Sequence, residues 1–320
     1  MTQIYLIRHA EAEGNIYRRY QGHYDSLITE RGKRQIAALA RRFDGVRIDA
    51  VYSSDLYRAY KTSEAVRLPR GLPAVTDGRL REISLGGWED TPFGEIAALD
   101  PGMAYNLDND PWRWSAPGAE TYAAARSRML EVMREIAERR AGENVAVFSH
   151  GLAMTAFLCA VLKIRDAEAL SGLRGHMNTA VSVFEYDSGA FKLRTYSDYS
   201  HLTEDLKQRK PGLHARFAET SPGEYDVTAD GVKCGELSLD LDSGASGGAG
   251  MISRLALYEG FRGKGLGVQL LGQAVSVYRG LGRNRLRLVP DGVSDGFFEK
   301  LGFVRSGGAL EMDIGRRGDA

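Results

Sequence analysis

Residues 4–7 form an apolar run, Ile4-Tyr5-Leu6-Ile7, that stops at Arg8-His9 and passes into small and polar residues. Such a run predicts a buried parallel strand whose last residues reach the carboxyl edge of a sheet, where open α/β sheets bind ligands. The pattern recurs. Residues 48–52 predict a strand ending in Ser53-Ser54-Asp55, and residues 144–148 one ending in Ser149-His150-Gly151. Between them the period becomes helical. Ile36, Leu39, Ala40 and Phe43 mark one face of a helix over 30–43, with Thr29 as its N-cap. Leu56, Ala59, Tyr60 and Ser63 mark a second helix that carries Arg58, and Tyr122, Ala125, Met129, Val132, Met133 and Ile136 a third. A helix over 153–162 and a hairpin of 180–186 with 191–196 follow. Residues 83–119 hold all three tryptophans, Trp88, Trp112 and Trp114, among Gly and Pro, and predict a long irregular region, either a lid or a packed surface excursion.

The polar run 204–210 with Pro211-Gly212 predicts a domain boundary. Beyond it, 224–228, 234–241 and 250–257 predict strands, with a Gly/Ser-rich turn over 242–250. Next comes Arg262-Gly263-Lys264-Gly265-Leu266-Gly267, opening a helix whose apolar stripe is Val268, Leu271, Val275 and Tyr278. The expected division is a domain over 1–203, a linker over 204–212 and a β-rich domain over 213–320.

Composition narrows the chemistry. Lys and Arg number 42, as do Asp and Glu, so no global field draws the chain to nucleic acid or anionic lipid, and any anion site is local. No stretch approaches the ~18 apolar residues of a membrane span, and no basic segment precedes a long apolar run at the N-terminus. The expectation is a cytoplasmic protein. Cys159 and Cys234 make no metal or redox motif, and His23, His176, His201 and His214 have no ligand spacing, so no metal is expected.

A cation beside an imidazole at a strand end suits an anion, with His9 as nucleophile and Arg8 as a fork for phosphate oxygens. The glycine-rich turn at a helix N-terminus offers backbone N–H groups and the positive end of the helix dipole, which suits a pyrophosphate. Its glycines run G-x-G-x-G rather than G-x-G-x-x-G, and no Lys-Ser/Thr follows them, which sets aside the dinucleotide fingerprint and the P-loop.

Residues 1–203 resemble the histidine phosphatase superfamily, the phosphoglycerate-mutase-like fold. The resemblance rests on Leu6-Ile7-Arg8-His9-Ala10-Glu11, on Asn15, Arg19, Gln21 and Gly22 as an Asn-x-x-x-Arg-x-Gln-Gly element, and on Ser53-Ser54-Asp55-Leu56-Tyr57-Arg58-Ala59. It continues through Leu80-Arg81-Glu82-Ile83, Gly87-Trp88-Glu89, Gly118-Ala119-Glu120-Thr121 and Ser149-His150-Gly151. It implies a three-layer α/β/α domain and a ping-pong reaction through phosphohistidine at His9, with Arg8, Arg58 and His150 holding the phosphoryl oxygens. Glu82 is implied as general acid and then base, Asn15 and Gln21 as neutral hydrogen-bonding groups at the rim, and Gly22 as a substrate neighbour, while His23 is near enough in sequence to Gln21 to touch substrate. The stretch from Glu82 to His150 is short for a mutase, and between Ile83 and Ala125 it carries seven acids against one base, Arg113. That favours hydrolysis of a small, modestly charged phosphomonoester over phosphoglycerate-mutase-type transfer.

The strand 252–257, the loop Arg262 to Gly267 and Phe297-Phe298-Glu299-Lys300-Leu301-Gly302-Phe303 resemble GNAT-type N-acetyltransferases. This implies a smaller α+β domain that binds acetyl-CoA through Arg262, Gly263, Lys264, Gly265, Leu266 and Gly267, with the backbone of Leu255 and Leu257 along the pantetheine arm. Two departures stand out. Phe298 occupies the place of a tyrosine that protonates departing CoA, and there is no room between Leu213 and Cys234 for two acceptor-side helices. The domain is thus expected either to N-acetylate a small amine or to serve as an acetyl-CoA sensor or assembly module.

Overall fold

The computed structural model describes every residue except 172, 174, 175, 208–211, 245–247, 293 and 316–320. The chain packs as two compact units. One comprises Met1–Ala12, Gln21–Glu89 and Asp100–Arg209, the other Glu13–Tyr20, Asp90–Leu99 and Lys210–Ala320. Of the expected linker, 208–211 lie outside the described residues, as do 245–247 of the expected Gly/Ser turn. The second unit is not a single stretch of sequence, because it takes in two short segments from the N-terminal half.

The first unit is built on six strands: β1 (Thr2–Arg8), β2 (Ala50–Ser53), β3 (Ala74–Thr76), β4 (Asn144–Ser149), β5 (Val181–Asp187) and β6 (Ala190–Asp198). Their order is β3-β2-β4-β1-β5-β6, the first four parallel and the last two antiparallel. Strand alternation splits the apolar residues between two faces. Ile4, Leu6, Val145 and Val147 pack under the helices Tyr122–Arg139 and Gly151–Val161. Ile7, Ala146 and Phe148 pack with Leu39 and Phe43 at the helix Glu30–Arg42, and with Ala59 and Val66 of the helix Tyr57–Arg67. Burial on both faces is what makes these strands read as continuous apolar runs, each large side chain contributing about 1.5–3 kcal/mol. Thr29 caps its helix as expected, its hydroxyl accepting from Gly32 N at 3.0 Å.

The region 83–119 is more ordered than its composition predicts. It contains the helices Phe93–Leu99 and Pro101–Asn109, the second capped by Asp100 accepting from Met103 N at 3.0 Å with Pro101 in the first turn. Asp-Pro was the legible signal, outweighed by the flanking Gly and Pro.

The second unit has seven strands: β7 (Arg216–Ser221), β8 (Glu224–Ala229), β9 (Val232–Asp240), β10 (Gly250–Leu257), β11 (Arg285–Leu288), β12 (Val304–Ser306) and β13 (Ala309–Asp313). The order is β12-β13-β11-β10-β9-β8-β7, with β10 and β11 the parallel pair. Where acceptor-side helices had no room, the chain forms the β7–β8 hairpin. The helix Gly267–Gly280 buries Leu270, Leu271, Ala274, Val275 and Tyr278 against Val227, Leu237, Ile252 and Leu286.

The segments from the N-terminal half join this unit through the same helix. Tyr17 packs so closely that a Cβ on Gly272 would lie 2.5 Å from its own Cβ. Arg19, buried, donates to Asp90 at 2.7 Å, Gln273 at 2.9 Å and Ser276 at 3.0 Å. Ser276 in turn donates to Asp90 at 2.6 Å, and Glu13 pairs with Arg279 at 2.9 Å. Gln273, Ser276 and Arg279 recur every three residues and so share one helix face. Among the described residues, no helix is long and apolar enough to cross a membrane.

Candidate active site

Three adjacent parallel strands deliver the first site. β1 ends at Arg8 opposite Ser149 of β4, and β2 ends at Ser53 opposite Phe148. The residues that follow, His9, His150 and Ser54, therefore emerge side by side at the carboxyl edge. The His9 and His150 rings lie 5.2 Å apart between centroids, both buried. His9 is clamped by its backbone: its N–H donates to Ser149 O at 3.0 Å, and its carbonyl accepts from Asn178 Nδ2 at 3.0 Å.

The ring of His9 has a defined tautomer. Its Nδ1 lies 2.7 Å from the Ala10 carbonyl, which only accepts, so Nδ1 carries the proton and Nε2 the lone pair. Burial, with the guanidinium groups of Arg58 and Arg8 nearby, holds the imidazole well below its usual range and so neutral. His150 is held neutral in the same way, by burial and then Arg58, His9 and Arg8.

Arg58 is fully buried, and its fork donates to Gly22 O at 2.7 Å and Tyr24 O at 2.9 Å. The 22–24 loop is fixed in turn by Glu89, whose carboxylate accepts from Gly22, His23, Tyr24 and Leu85 N–H groups at 2.7–3.0 Å. Gly22 must be glycine, because a Cβ would lie 2.2 Å from Glu89 Oε1 and 2.5 Å from Ile83 O. Arg8 donates to His176 O. Arg8 Nε, Arg58 Nε and His150 Nδ1 are buried with no partner among the described residues. Buried polar atoms without partners are costly, and a bound oxyanion would supply an acceptor to each of them that carries a proton.

Glu82 sits at the start of the helix Gly151–Val161. Its carboxylate accepts from Ala153 N at 2.7 Å and Leu152 N at 3.1 Å, where the helix dipole favours negative charge. Arg128 fixes the approach, donating to the carbonyls of Arg79, Arg81 and Glu82 at 2.7–3.0 Å while paired with Glu120. His23 Nε2 donates to Glu82 O at 3.0 Å. Gln21 accepts from the Ser26 hydroxyl. The fold thus brings Arg8, His9, Gln21, Gly22, His23, Arg58, Glu82 and His150 into the first unit. Asn15 falls in the second, in the helix Glu13–Tyr17. Sequence reasoning gave no role to Ser54, Glu89 or Arg128. Glu89 and Ser54 lay inside quoted motifs, whereas nothing in sequence marks Arg128.

The second unit offers a different surface. Gly263 and Gly265 have φ of +73° and +77°, conformations that suit glycine, and Gly267 opens the helix. A Cβ on Gly267 would lie 3.2 Å from the Phe297 ring. Gln269 ties the loop down, donating to Gly265 O at 3.1 Å and Leu213 O at 3.0 Å and accepting from Ala215 N at 2.9 Å. Arg262 Nε donates to Leu257 O at 3.1 Å, and Lys264 lies over the Phe261 ring. Leu266 is fully buried. β10 pairs with β11 only from Gly250 to Ile252, shifts register between Ile252 and Arg254, and then continues beside β9 alone. Its Leu255–Leu257 stretch therefore has no ladder partner toward β11 among the described residues. Phe298 is buried between Phe297 and Phe303.

The model of the histidine phosphatase superfamily (branch 1) matches residues 4–199, and that of the acetyltransferase (GNAT) family matches 190–303. The chain is 32% identical over 164 residues to phosphoserine phosphatase 1 of Hydrogenobacter thermophilus, covering 51% of this chain and 78% of that protein. It is 29% identical over 208 residues to a probable phosphoglycerate mutase of Cronobacter sakazakii, covering 63% and 95%. Among solved structures it resembles YhfR of Bacillus stearothermophilus, with a TM-score of 0.60 and 33% identity over 63% of this chain and 99% of that one. A mycobacterial glucosyl-3-phosphoglycerate phosphatase in complex with VO3 gives a TM-score of 0.57 and 27% identity over 61% and 98%. With a GNAT-type region following its α/β/α unit, the chain belongs to the histidine phosphatase superfamily.

Proposed function

We propose that the first unit hydrolyses a small phosphomonoester through a phosphohistidine on His9, with positive charge supplied by Arg8 and Arg58 rather than by a metal ion. The observation that carries this reading is the His9 tautomer, with Nδ1–H spent on Ala10 O and the neutral ring leaving Nε2 as a nucleophile. The Nε2 lone pair attacks phosphorus. The bond to the leaving oxygen breaks, and Glu82, which takes up a proton as the anionic ester binds beside it, gives that oxygen its proton. Arg8, Arg58 and His150 hold the equatorial oxygens, which suits a reaction governed by positioning and charge stabilisation. Glu82, now a carboxylate, takes a proton from the water that attacks phosphohistidine, the P–N bond breaks, and phosphate leaves. Gln21 and His23 line the approach.

The named relatives include a phosphoserine phosphatase and a glucosyl-3-phosphoglycerate phosphatase, which supports a small phosphorylated metabolite as substrate. The probable mutase relatives keep phosphoryl transfer as an alternative, against which stands the acidic stretch from Glu82 to His150. The test is hydrolysis of an aryl phosphate in excess chelator. Wild type is expected to turn over and His9→Ala to be inactive, and comparable rates for the two would overturn the reading.

For the second unit the proposal is acetyl-CoA binding. The positive-φ glycines and helix N-terminus suit the pyrophosphate, and the edge of β10 left open beyond Ile252 suits the pantetheine amides. Bound there, acetyl-CoA would supply an activated acetyl group for a small amine. Phe298, a buried phenyl ring with no proton to give, favours the second reading, a unit that binds acetyl-CoA as a sensor or assembly module.

A further inference from the structure

Ser54 is fully buried at the end of β2, and its hydroxyl lies 2.9 Å from His150 Nε2. Which of the two groups donates is a matter of proton placement, and the surroundings decide it. The Ser54 oxygen already accepts from Leu56 N at 3.3 Å. Among the described residues His150 Nε2 is the one acceptor within reach of its proton. His150 is neutral and therefore carries a single ring proton. If that proton sat on Nε2, the buried Ser54 hydroxyl would have no acceptor and Nδ1 would be a buried lone pair without a donor. If it sits on Nδ1, Ser54 donates to Nε2, and one group remains unpaired, the Nδ1–H. That arrangement leaves fewer buried polar atoms unsatisfied.

We propose that Ser54 is a positioning residue that fixes His150 as the Nδ1–H tautomer, so that this ring donates to a phosphoryl oxygen while His9 attacks phosphorus. The inference rests on the phosphoryl-site reading above. It gives the paired imidazoles opposite duties despite their shared charge state. At His9 a backbone carbonyl takes the Nδ1 proton and frees Nε2 as a lone pair. At His150 a hydroxyl fills the Nε2 lone pair and frees Nδ1 as a donor. A serine two residues before the Leu56-Tyr57-Arg58 turn thus decides whether the second histidine helps or opposes an incoming oxyanion.

The test is the ring 15N spectrum of the intact protein labelled at histidine, with His150 assigned by comparison with His150→Gln. In wild type, His150 is expected to show a protonated Nδ1 and an unprotonated Nε2, with the Nδ1–H resonance shifting on addition of inorganic phosphate. In Ser54→Ala the proton is expected to redistribute toward Nε2, with kcat/KM for an aryl phosphate falling about tenfold, the scale of one lost hydrogen bond. A protonated Nε2 in wild type overturns the proposal, as does a His150 spectrum unchanged by Ser54→Ala. The spectra require no turnover, so failure of the phosphatase reading would appear separately, as an inactive wild type with the expected tautomer intact.

Discussion

Around His9, the groups suited to an anion are side chains. Arg58 is fully buried and aimed by the Gly22 and Tyr24 carbonyls, which Glu89 holds in place, and Arg8 is aimed by the His176 carbonyl. Around Gly263 to Gly267 the corresponding groups are backbone N–H donors on a turn whose flanking Arg262 and Lys264 are exposed. The first arrangement places charges in a low-dielectric setting, where they act strongly but must be fully supported. The second uses weak, solvated dipoles that need little support. Substitutions should therefore cost far more in the first unit than in the second.

The sharpest contrast is catalytic. Glu82→Gln keeps the shape and the acceptor for Ala153 N but loses the transferable proton. It is expected to lower kcat/KM, which reads the step that expels the leaving group, by roughly 10²–10⁴-fold for poor leaving groups and much less for activated aryl phosphates. Equal slowing across leaving groups would remove Glu82 as the acid. No single residue of the glycine loop should approach that effect on acetyl-CoA binding.

A matched pair of glycines tests the packing side. Gly22→Ala drives a methyl into Glu89 and the Ile83 carbonyl, and is expected to destabilise the protein by about 1–3 kcal/mol and weaken inorganic phosphate binding as the Arg58 carbonyl clamp shifts. Gly260→Ala meets open space, and its denaturation midpoint should match wild type. Between them lies Gly265→Ala, whose positive φ costs roughly 1–2 kcal/mol. Its acetyl-CoA affinity, measured by calorimetry, should fall about tenfold.

Acid should separate the units as well. Five of the six histidines lie in the first unit and His214 in the second. His9 and His150 are held well below the ordinary 6.5, and burial takes His176 to about 3. Below pH 6.5 the unfolded chain takes up protons that the folded one refuses, so stability present above that pH is lost as pH falls. The slope is about 1.4 kcal/mol per pH unit for each fully buried histidine. Urea midpoints read from the three tryptophans, all in the first unit, should drop from pH 6.5 downward, while kcat/KM shows no break near 6.5 from the nucleophile. A pH-independent midpoint between 6.5 and 4.5 would contradict the buried neutral histidines.

The same contrast explains what the sequence could disclose. Strands buried on both faces announce themselves as apolar runs, and side-chain chemistry at their ends is visible as Arg8-His9 and His150. The glycine loop is equally legible, since only glycine meets its φ angles readily. The supports are not. Glu89 gathering four N–H groups, Arg128 gathering three carbonyls and Gln269 pinning the loop to Leu213 and Ala215 all join side chains to backbone distant in sequence, with no periodicity to betray them. Arg19 is instructive in another way. It sits in a recognisable motif, yet its guanidinium is committed to Asp90, Gln273 and Ser276 in the second unit, a partnership that a motif cannot reveal. β7 and β12 are largely exposed, and β11 and β13 are short with their apolar residues interrupted by charged ones, so none of the four presents an apolar run.

The most direct test of the account is to mix the intact protein with a labelled aryl phosphate in chelator, quench in alkali within one turnover and map the label. Phosphohistidine survives alkali and is lost in acid. Label is expected on His9, stable in alkali, labile in acid and absent from His9→Ala, and longer-lived in Glu82→Gln. Label on another residue, or full turnover by His9→Ala, would contradict it.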